Sequence, residues 1–483
     1  MEQMTIDNAI AKVSGNHRYQ KRIIYILCLS QLSLSIMIMG TPYMIPSIDQ
    51  DCDSLNICSI PDSLTNSATF DFQLFNEKKY LIGLVGTSYF AGMITGVLFL
   101  SWFSDTYGRI KSIKYFTIIG VPVLAFIAFS WSIWVIIISY FFVGLLEIGI
   151  FVPSFILLTE NSKASHRNFF SGIFFSIWGI FTSFISILYL LSVPWRFTII
   201  ISIFTLLCQI FLIRYVHESP HFLLANHKNI DETIKVLNAI SIINGEGPFT
   251  SDIKHVEIEE NVSHSYLSFI KYRHLFIKIL ICTLLWFSIV LSYYSMLFIM
   301  PSLFPNLYVE GAIMGLAEAI GSLLTTYSVN KLGRKKCTFI CFLISGLCFT
   351  TIWAYPMIFS DNQNDWGILA LWTLGRFFIS SEYFVIYIYT VELFPTRIRN
   401  MAYGICNFIG RIAGMISSNM ITICEAAGIS PVAVLAITMI MASVISCFLE
   451  ETLGKNMMEF VEEDENNYRE ENCEEGVSYN KLY

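Results

Sequence analysis

Charge is what this sequence has least of. Asp, Glu, Lys and Arg make up 14% of its 483 residues, against 55% hydrophobic residues and a mean hydropathy of +0.60. A soluble globular chain carries about 25% charged residues, so the composition excludes that class and points to a membrane protein. Histidine is scarce too. All eight fall outside the long apolar runs, which argues against a histidine proton relay or a histidine metal site inside a membrane. No Cys/His spacing suggests zinc, and no GxxxxGK[ST] loop is present to hold a nucleotide for a driven pump. There is no nucleophile elbow and no paired aspartate, so the expectation is not an enzyme, with no cofactor, no metal and no nucleic-acid partner. A cleavable signal peptide is not expected either. The first 22 residues are polar and basic, and the apolar run after them is long enough to span.

What is there is a series of runs near the 20 apolar residues that a bilayer-crossing helix needs. Twelve are predicted: 23–45, 80–102, 112–131, 133–157, 169–191, 194–215, 275–300, 309–329, 337–356, 367–391, 401–425 and 429–449. The eighth is the least regular, interrupted by glycines and Glu318. A cytoplasmic N-terminus (1–22) precedes a six-helix bundle (23–215), a polar cytoplasmic linker (216–274) and a second six-helix bundle (275–449). The acidic stretch 450–483 reads as a solvated cytoplasmic tail. With both termini in the cytoplasm, Lys78, Lys79 and Arg196 alone of the 30 basic residues fall outside, and Arg376 and Arg411 lie within spans. The positive-inside rule selects that topology. Most of the twelve cysteines sit in apolar runs as small hydrophobes. Cys52 and Cys58 sit in the polar loop after the first span, where a disulfide and two free thiols are both open.

The two halves repeat. SDTYGRIK follows the second span and VNKLGRKK the eighth, with Gly108–Arg109 and Gly333–Arg334 225 residues apart. Glu160 precedes Arg167 by seven after the fourth span, and Glu392 precedes Arg399 by seven after the tenth, at an offset of 232. Two motifs recurring in order at nearly one period point to duplicated six-helix units, the parallel repeat of major facilitator transporters. In these loops glycine permits a tight turn and the arginine beside it reaches a carboxylate or helix-end carbonyls. Asp105, Glu160, Glu218 and Glu392 are the expected acceptors. With Arg397 and Arg399 they would form a cytoplasmic gate that locks the halves in one state and releases them in the other. Ordinary positive-inside charges in turns are the plainer reading.

VELFPTRIR (391–399) resembles the signature after span ten of the organic ion transporter family of the major facilitator superfamily. IDNAIAKVSGNHRYQKR (6–22), SDTYGR, HESPHFLL (217–224), WFSIVLSYY (286–294), MAYGICNFIGRIAG (401–414) and EETLGK (450–455) resemble further stretches of that family. Ser101, Thr106, Asn330 and His221 depart from its loop motifs, and the first external loop is short and lacks an Asn-x-Ser/Thr sequon. The resemblance implies an all-α membrane protein with twelve transmembrane helices in two six-helix pseudo-repeats. It also implies that Arg411 matches a position carrying arginine in anion-preferring relatives. Glu318 matches an acidic position linked with cations, and Arg376 a basic position in span ten.

Ionisable residues inside spans cost about 2.5–3.5 kcal/mol each at a helix centre and are functional candidates by default. The residues read this way are Glu147, Glu318, Arg376, Glu382 and Arg411. Arg376 and Glu382 are six apart, about 120° off-register, so they should not pair with each other. Either can instead pair with a neighbouring span. Glu147 lies between Gly144 and Gly149, which suggests close helix approach. Glu147, Glu318 and Glu382 are the carboxyls available for proton coupling. Tyr293, Tyr294, Tyr383 and Tyr387 can offer cation–π faces, and Asn407 stands one turn before Arg411. Three carboxylates against two guanidiniums tilt the expectation toward cations or zwitterions. The expected function is secondary transport of a small organic ion by alternating access across a membrane, the plasma membrane in the first instance, with a proton or sodium as possible coupling ion. A sugar or other neutral-solute porter, or a transport-dead receptor, is the alternative.

Overall fold

Lipid offers no partner to a bare N–H or C=O, so each long apolar run closes its backbone hydrogen bonds internally as a helix. The computed structural model describes residues 6–46, 66–75, 78–227, 230–249, 272–304, 306–358 and 365–454, and among them there is no β-strand. The first half holds α1 (Ile6–Val13), α2 (Arg18–Met39), α3 (Thr41–Met44), α4 (Ala68–Asp71), α5 (Tyr80–Tyr107) and α6 (Arg109–Ala128). It continues with α7 (Ile133–Glu160), α8 (Ala164–Leu190) and α9 (Trp195–Leu212). The linker contributes α10 (Pro220–His227) and α11 (Ile230–Asn244). The second half holds α12 (Arg273–Leu303), α13 (Leu307–Leu332), α14 (Arg334–Ile358), α15 (Asp365–Leu393), α16 (Thr396–Ser417), α17 (Met420–Ala427) and α18 (Pro431–Ser446).

Among the described residues ten helices are long and apolar enough to cross a bilayer. The last two expected spans take a different form. The stretch predicted as 401–425 begins earlier, as α16, and breaks at Ser418–Asn419 before α17. Arg399, Asn407 and Arg411 make α16 too polar to pass as a lipid-facing rod, and it is held inside the bundle instead. The predicted 429–449 span is α18, bent by 104° from α17. The irregular eighth run is an unbroken helix, α13, with Glu310 and Glu318 both buried. Large apolar side chains such as Phe99, Trp102, Phe129, Phe204 and Phe211 are exposed around the outside. That is the surface expected where the solvent is lipid.

The repeat is visible in packing. In the first half α5 packs on α7, α6 on α9 and α2 on α8; in the second α13 packs on α15, α14 on α18 and α12 on α16. The halves meet along α8–α13 and α5–α16, two contacts that the same twofold relation exchanges. Glycines make the first of these close. A Cβ on Gly179 would stand 2.5 Å from Ala319 N and 2.7 Å from Gly315 O. Within the first half, a Cβ on Gly144 would strike the Tyr89 carbonyl, which accounts for the glycine beside Glu147.

Gly108 (φ 107°) and Gly333 (φ 88°) make the turns between α5 and α6 and between α13 and α14, a conformation that glycine adopts without the Cβ penalty. Both turns lie on one basic face of the bundle. The linker is not a plain loop on that face: Asn244 at the end of α11 accepts from Tyr19 N at 2.8 Å and donates to Val13 O at 2.7 Å, tying it to the N-terminal segment. Cys52 and Cys58, residues 250–271 of the linker and residues 455–483 of the tail lie outside the described residues.

Candidate substrate cavity and the paired clusters of the basic face

Where the halves meet at mid-bundle they leave a cavity of about 40 Å³, room for roughly three waters. The first half lines it with Glu147, Phe151, Phe175 and Trp178, and the second with Tyr293, Tyr294, Glu318, Tyr383, Tyr387 and Arg411.

Two of the expected ligands neutralise each other. Arg376 of α15 donates to Glu318 Oε2 of α13 from Nη2 at 2.7 Å and from Nε at 3.2 Å. Its Nη1 donates to the Tyr293 carbonyl at 2.8 Å, and its guanidinium carbon lies 3.8 Å from the Tyr293 ring centroid. Tyr293 Oη donates to Glu318 Oε1 at 2.6 Å. Arg376 is thus enclosed and does not line the cavity, contrary to its expected place as a ligand; its partner comes from a neighbouring helix, as the spacing to Glu382 required. Glu382 is also displaced from the expected site. It sits 120° around α15 from Arg376, facing Thr338 and Cys341 of α14 rather than the cavity.

The remaining charges face each other from opposite halves. Glu147 of α7 and Arg411 of α16 both line the cavity. Glu147 Oε2 has no hydrogen-bond partner, and among the described residues no carboxylate pairs with Arg411. Arg411 Nε donates to Asn407 Oδ1 at 3.0 Å, and Asn407 Nδ2 donates to Tyr403 Oη at 3.3 Å. Asn407 therefore stands behind the cavity and aims the guanidinium. The walls are aromatic: Tyr383 lies 4.9 Å from Tyr293 and 5.6 Å from Tyr387, and Tyr387 lies 5.5 Å from Phe175 of the other half.

On the basic face the two arginine motifs build the same cluster twice. Arg109 Nη2 reaches Glu160 at 3.2 Å and Asp105 at 3.4 Å, while Glu218 accepts from the amides of Arg109 at 3.1 Å and Ile110 at 3.0 Å. In the second half Arg334 Nη2 reaches Glu392 at 2.8 Å, and Glu451 accepts from the amides of Arg334 at 2.8 Å and Lys335 at 3.2 Å. Glu218 and Glu451 thereby satisfy the orphan N–H groups of α6 and α14, where negative charge is favoured. Burial raises the Glu218 carboxyl above the ordinary range, offset by the Ser219, Ile110 and Arg109 amides and by the Arg109 charge. The gate arrangement expected from sequence is corrected here. These ion pairs close within a half, not between halves, because each arginine lies at the start of a helix packed beside its own partner. Nor do Arg167 and Arg399 pair with the glutamates seven residues before them. Arg167 Nε donates to Thr159 O at 3.2 Å and Arg399 Nε to Phe394 O at 3.3 Å, each holding a carbonyl near a helix end. The side chain of Arg397 lies outside the described residues.

A sequence model of the Major Facilitator Superfamily matches residues 25–418, and again 309–459. The chain belongs to the major facilitator superfamily. Among similar proteins, a solute carrier family 22 member 15-like protein of Xenopus laevis is 27% identical over 481 residues, covering 95% of this chain and 96% of its own. An organic cation transporter protein of Drosophila melanogaster is 25% identical over 452 residues, covering 88% and 79%. Of solved structures, the proton:xylose symporter XylE bound to 6-bromo-6-deoxy-D-glucose aligns with a TM-score of 0.64 at 16% identity, over 92% of this chain and 98% of that one. That likeness is one of fold. Relatives named as organic ion transporters are thus among the proteins this facilitator resembles, and its function is transport.

Several working parts of the facilitator escaped the sequence reading. Glu451 stands 233 residues after Glu218, close to the offsets already found, and that spacing was the available signal. Thr452 Oγ1 donates to Glu392 Oε2 at 2.6 Å, which completes the second cluster. Lys278, buried near the start of α12, pairs with Glu450 at 3.2 Å. Asp7 of α1 lies 3.5 Å from both Arg167 and His221. Phe151, Phe175 and Trp178 could not be told from lipid-facing aromatics by composition.

Proposed function

We propose that this facilitator carries small organic ions by alternating access, and that its preferred cargo is zwitterionic. The observation that carries this reading is the pair left over when Glu318 and Arg376 cancel. Glu147 and Arg411 face one cavity from opposite halves, and among the described residues neither closes a salt bridge, to each other or to a third group. A cationic ammonium lies against Glu147 and the aromatic faces, where cation–π attraction adds to the carboxylate. A carboxylate on the same molecule meets the free nitrogens of Arg411. Such a cargo ties α7 to α16, so binding energy draws the halves together around it. Simple cations keep one of these contacts and simple anions the other. A neutral sugar needs neither charge.

The clusters of the basic face serve this cycle by holding each half rigid as it rocks. The basic face is cytoplasmic with both termini on that side, and the plasma membrane is the site of action. The coupling ion is a proton or sodium, and imposed gradients of each in turn distinguish them.

The test is uptake into proteoliposomes of a quaternary ammonium, a carnitine-like zwitterion and an aromatic carboxylate. The zwitterion is expected to win. Loss of a charge-assisted hydrogen bond is worth about 1.5–3 kcal/mol, so Arg411→Ala should weaken zwitterion and carboxylate uptake by roughly 10- to 150-fold and spare the quaternary ammonium. Glu147→Gln should do the reverse. Failure of every charged compound to enter, or uptake unmoved by either substitution, would sink the reading.

A further inference from the structure

Glu382 is a buried carboxyl for which the transport site has no use. It is 0% exposed, and neither carboxylate oxygen has a hydrogen-bond partner. Thr338 of α14 lies beside it, and its hydroxyl, otherwise unpartnered, is the group placed to donate to this carboxyl. The titratable groups around it are Cys337 and Cys341 of α14 and Tyr389 of its own helix. Beyond Tyr389 come Cys282 of α12 and the carboxylates of Glu450 and Glu451. Among the described residues no Lys or Arg pairs with it. An ionised carboxylate in such a place is uncompensated, and buried acids in this position take up a proton instead.

Packing does not require a carboxyl there. The pseudo-repeat supplies the control, because the first-half positions equivalent to Glu382 and Thr338, at the offsets 232 and 225, are Ile150 and Ile113. Both are buried. The same space between equivalent helices is filled with hydrocarbon in one half and with an acid and a hydroxyl in the other. One turn before Thr338 on the same face of α14 stands Arg334. Its Nη2 holds Glu392 at 2.8 Å, while its Nε and Nη1, both buried, have no partner. That guanidinium is held at Glu392, ten residues beyond Glu382 on α15 and about 15 Å of helix rise away, so it leaves Glu382 without a cation.

We propose that Glu382 is a proton-binding site separate from the substrate cavity, and that the proton it binds couples transport to a pH gradient. With the proton on, Glu382 is neutral and its burial is uncharged. When the O–H bond breaks, the proton leaves to water on the basic face. The donor set favours a proton over sodium: one carboxylate and one hydroxyl among thiols is too poor in oxygen for a hard cation. The coupling part of this proposal rests on the transport reading above.

Two measurements test it, on the full chain. Infrared pH-difference spectra should show a carboxylic-acid carbonyl band near neutral pH that disappears in Glu382→Gln. That arm needs no substrate, so it still decides the proton site if no organic ion proves to be carried. Absence of the band from the unmodified protein, or its survival in the variant, overturns the site. In proteoliposomes loaded with the zwitterion, accumulation driven by a pH gradient should fall in Glu382→Gln to the level seen without a gradient, while counterflow at equal pH continues. Thr338→Val should reduce the gradient response part-way. A gradient response undiminished in Glu382→Gln, or driven by sodium alone in the unmodified protein, overturns the coupling role. Failure of the transport reading looks different, as no uptake of any charged compound by the unmodified chain.

Discussion

Replacing Arg376 by methionine tests whether the Glu318–Arg376 pair is architecture or ligand machinery. Methionine keeps much of the arginine stem and deletes the charge. Glu318 would then lose the donors at 2.7 Å and 3.2 Å and keep the Tyr293 hydroxyl at 2.6 Å. Both partners are almost wholly buried, at 1% and 5% side-chain exposure, so solvent screening gives little relief. Removing one member of such a pair costs about 3–5 kcal/mol, because the survivor is left as an uncompensated buried charge. Glu318→Gln should cost less, since Arg376 keeps the Tyr293 carbonyl at 2.8 Å and the face of its ring. The informative variant is the double one. With both charges gone nothing uncompensated remains, and buried pairs replaced by neutral groups of similar volume are often no less stable. Arg376→Met with Glu318→Gln should therefore recover most of the single loss, a coupling of roughly 2–3 kcal/mol. The assay is denaturant unfolding in one fixed detergent at one pH, followed by tryptophan fluorescence, with zwitterion uptake measured alongside. The double variant should still transport within severalfold of the parent. If the two single losses simply add, or if uptake collapses in a double variant that is as stable as the parent, the pair belongs to the ligand site and the cancellation argument fails.

Glu218→Ala and Glu451→Ala each remove the acceptor for two amides at a helix start, and should each lower stability by about 1–2 kcal/mol; unequal losses in the same unfolding assay would contradict the duplicated capping. Gly179→Val places methyl groups against the backbone of Ala319 and Gly315, so the halves should fail to close: folding survives and transport falls at least tenfold, and unchanged uptake would refute the close contact. The N-terminal segment should loosen in acid. Burial, then the charges of His166, Lys163 and Lys21, hold His17 below its ordinary value of 6.5, and burial likewise lowers His221 despite the opposing pull of Asp7. A histidine held low is docked as the neutral form, so this contribution is complete above 6.5 and is lost as pH falls below it through the lowered folded value. Protection factors for amide exchange at residues 9–19, referred to the intrinsic rate at each pH, should fall between about pH 8 and about pH 5, and His17→Gln should flatten the change.

The spans were legible because lipid enforces a simple rule: long apolar runs become helices and charges mark their ends. The turns at Gly108 and Gly333 were legible because a glycine–arginine pair between two apolar runs has few other uses. Partnerships were another matter. Arg376 and Glu318 are 58 residues apart, and their meeting depends on the rotation of α13 against α15, which no pattern along one strand of text encodes. The break at Ser418–Asn419 was hidden for a different reason. Its flanks remain apolar, and the bend is held by contacts from outside, with Asn419 Nδ2 donating to Thr87 Oγ1 of the first half at 2.7 Å. Glu382 was visible as a charge but not as a misfit, since only the neighbouring helix shows that nothing answers it.

The repeat explains which charges matter for what. At the motif offsets the mechanical residues have counterparts: Arg109 with Arg334, Glu160 with Glu392, Arg167 with Arg399, and Glu218 with Glu451 one residue later. Both halves need the same helix starts capped and the same helix ends held, so duplication leaves those positions alike. The charges of mid-bundle have no such counterparts. Glu147 corresponds to Ile379, Arg411 to Gly179, Glu318 to Met93, Arg376 to Gly144 and Glu382 to Ile150. A twofold site with a carboxylate in each half would repel its own mate across one small cavity, and would suit only a symmetric cargo. A molecule with unlike ends needs unlike walls. Moreover, Gly179 at the counterpart of Arg411 is what lets α8 approach α13, so a second arginine there would hold the halves apart. Divergence between the halves is therefore a guide to cargo and to coupling, and identity between them a guide to the rocking frame. Exchanging the pair, with isoleucine at Glu147 and glutamate at Ile379, moves the carboxylate to the other half. Ile379 is buried behind the cavity wall rather than in it, so a variant that folds as well as the parent in the unfolding assay should still lose zwitterion uptake, and retained uptake would refute the reading of Glu147 as a ligand.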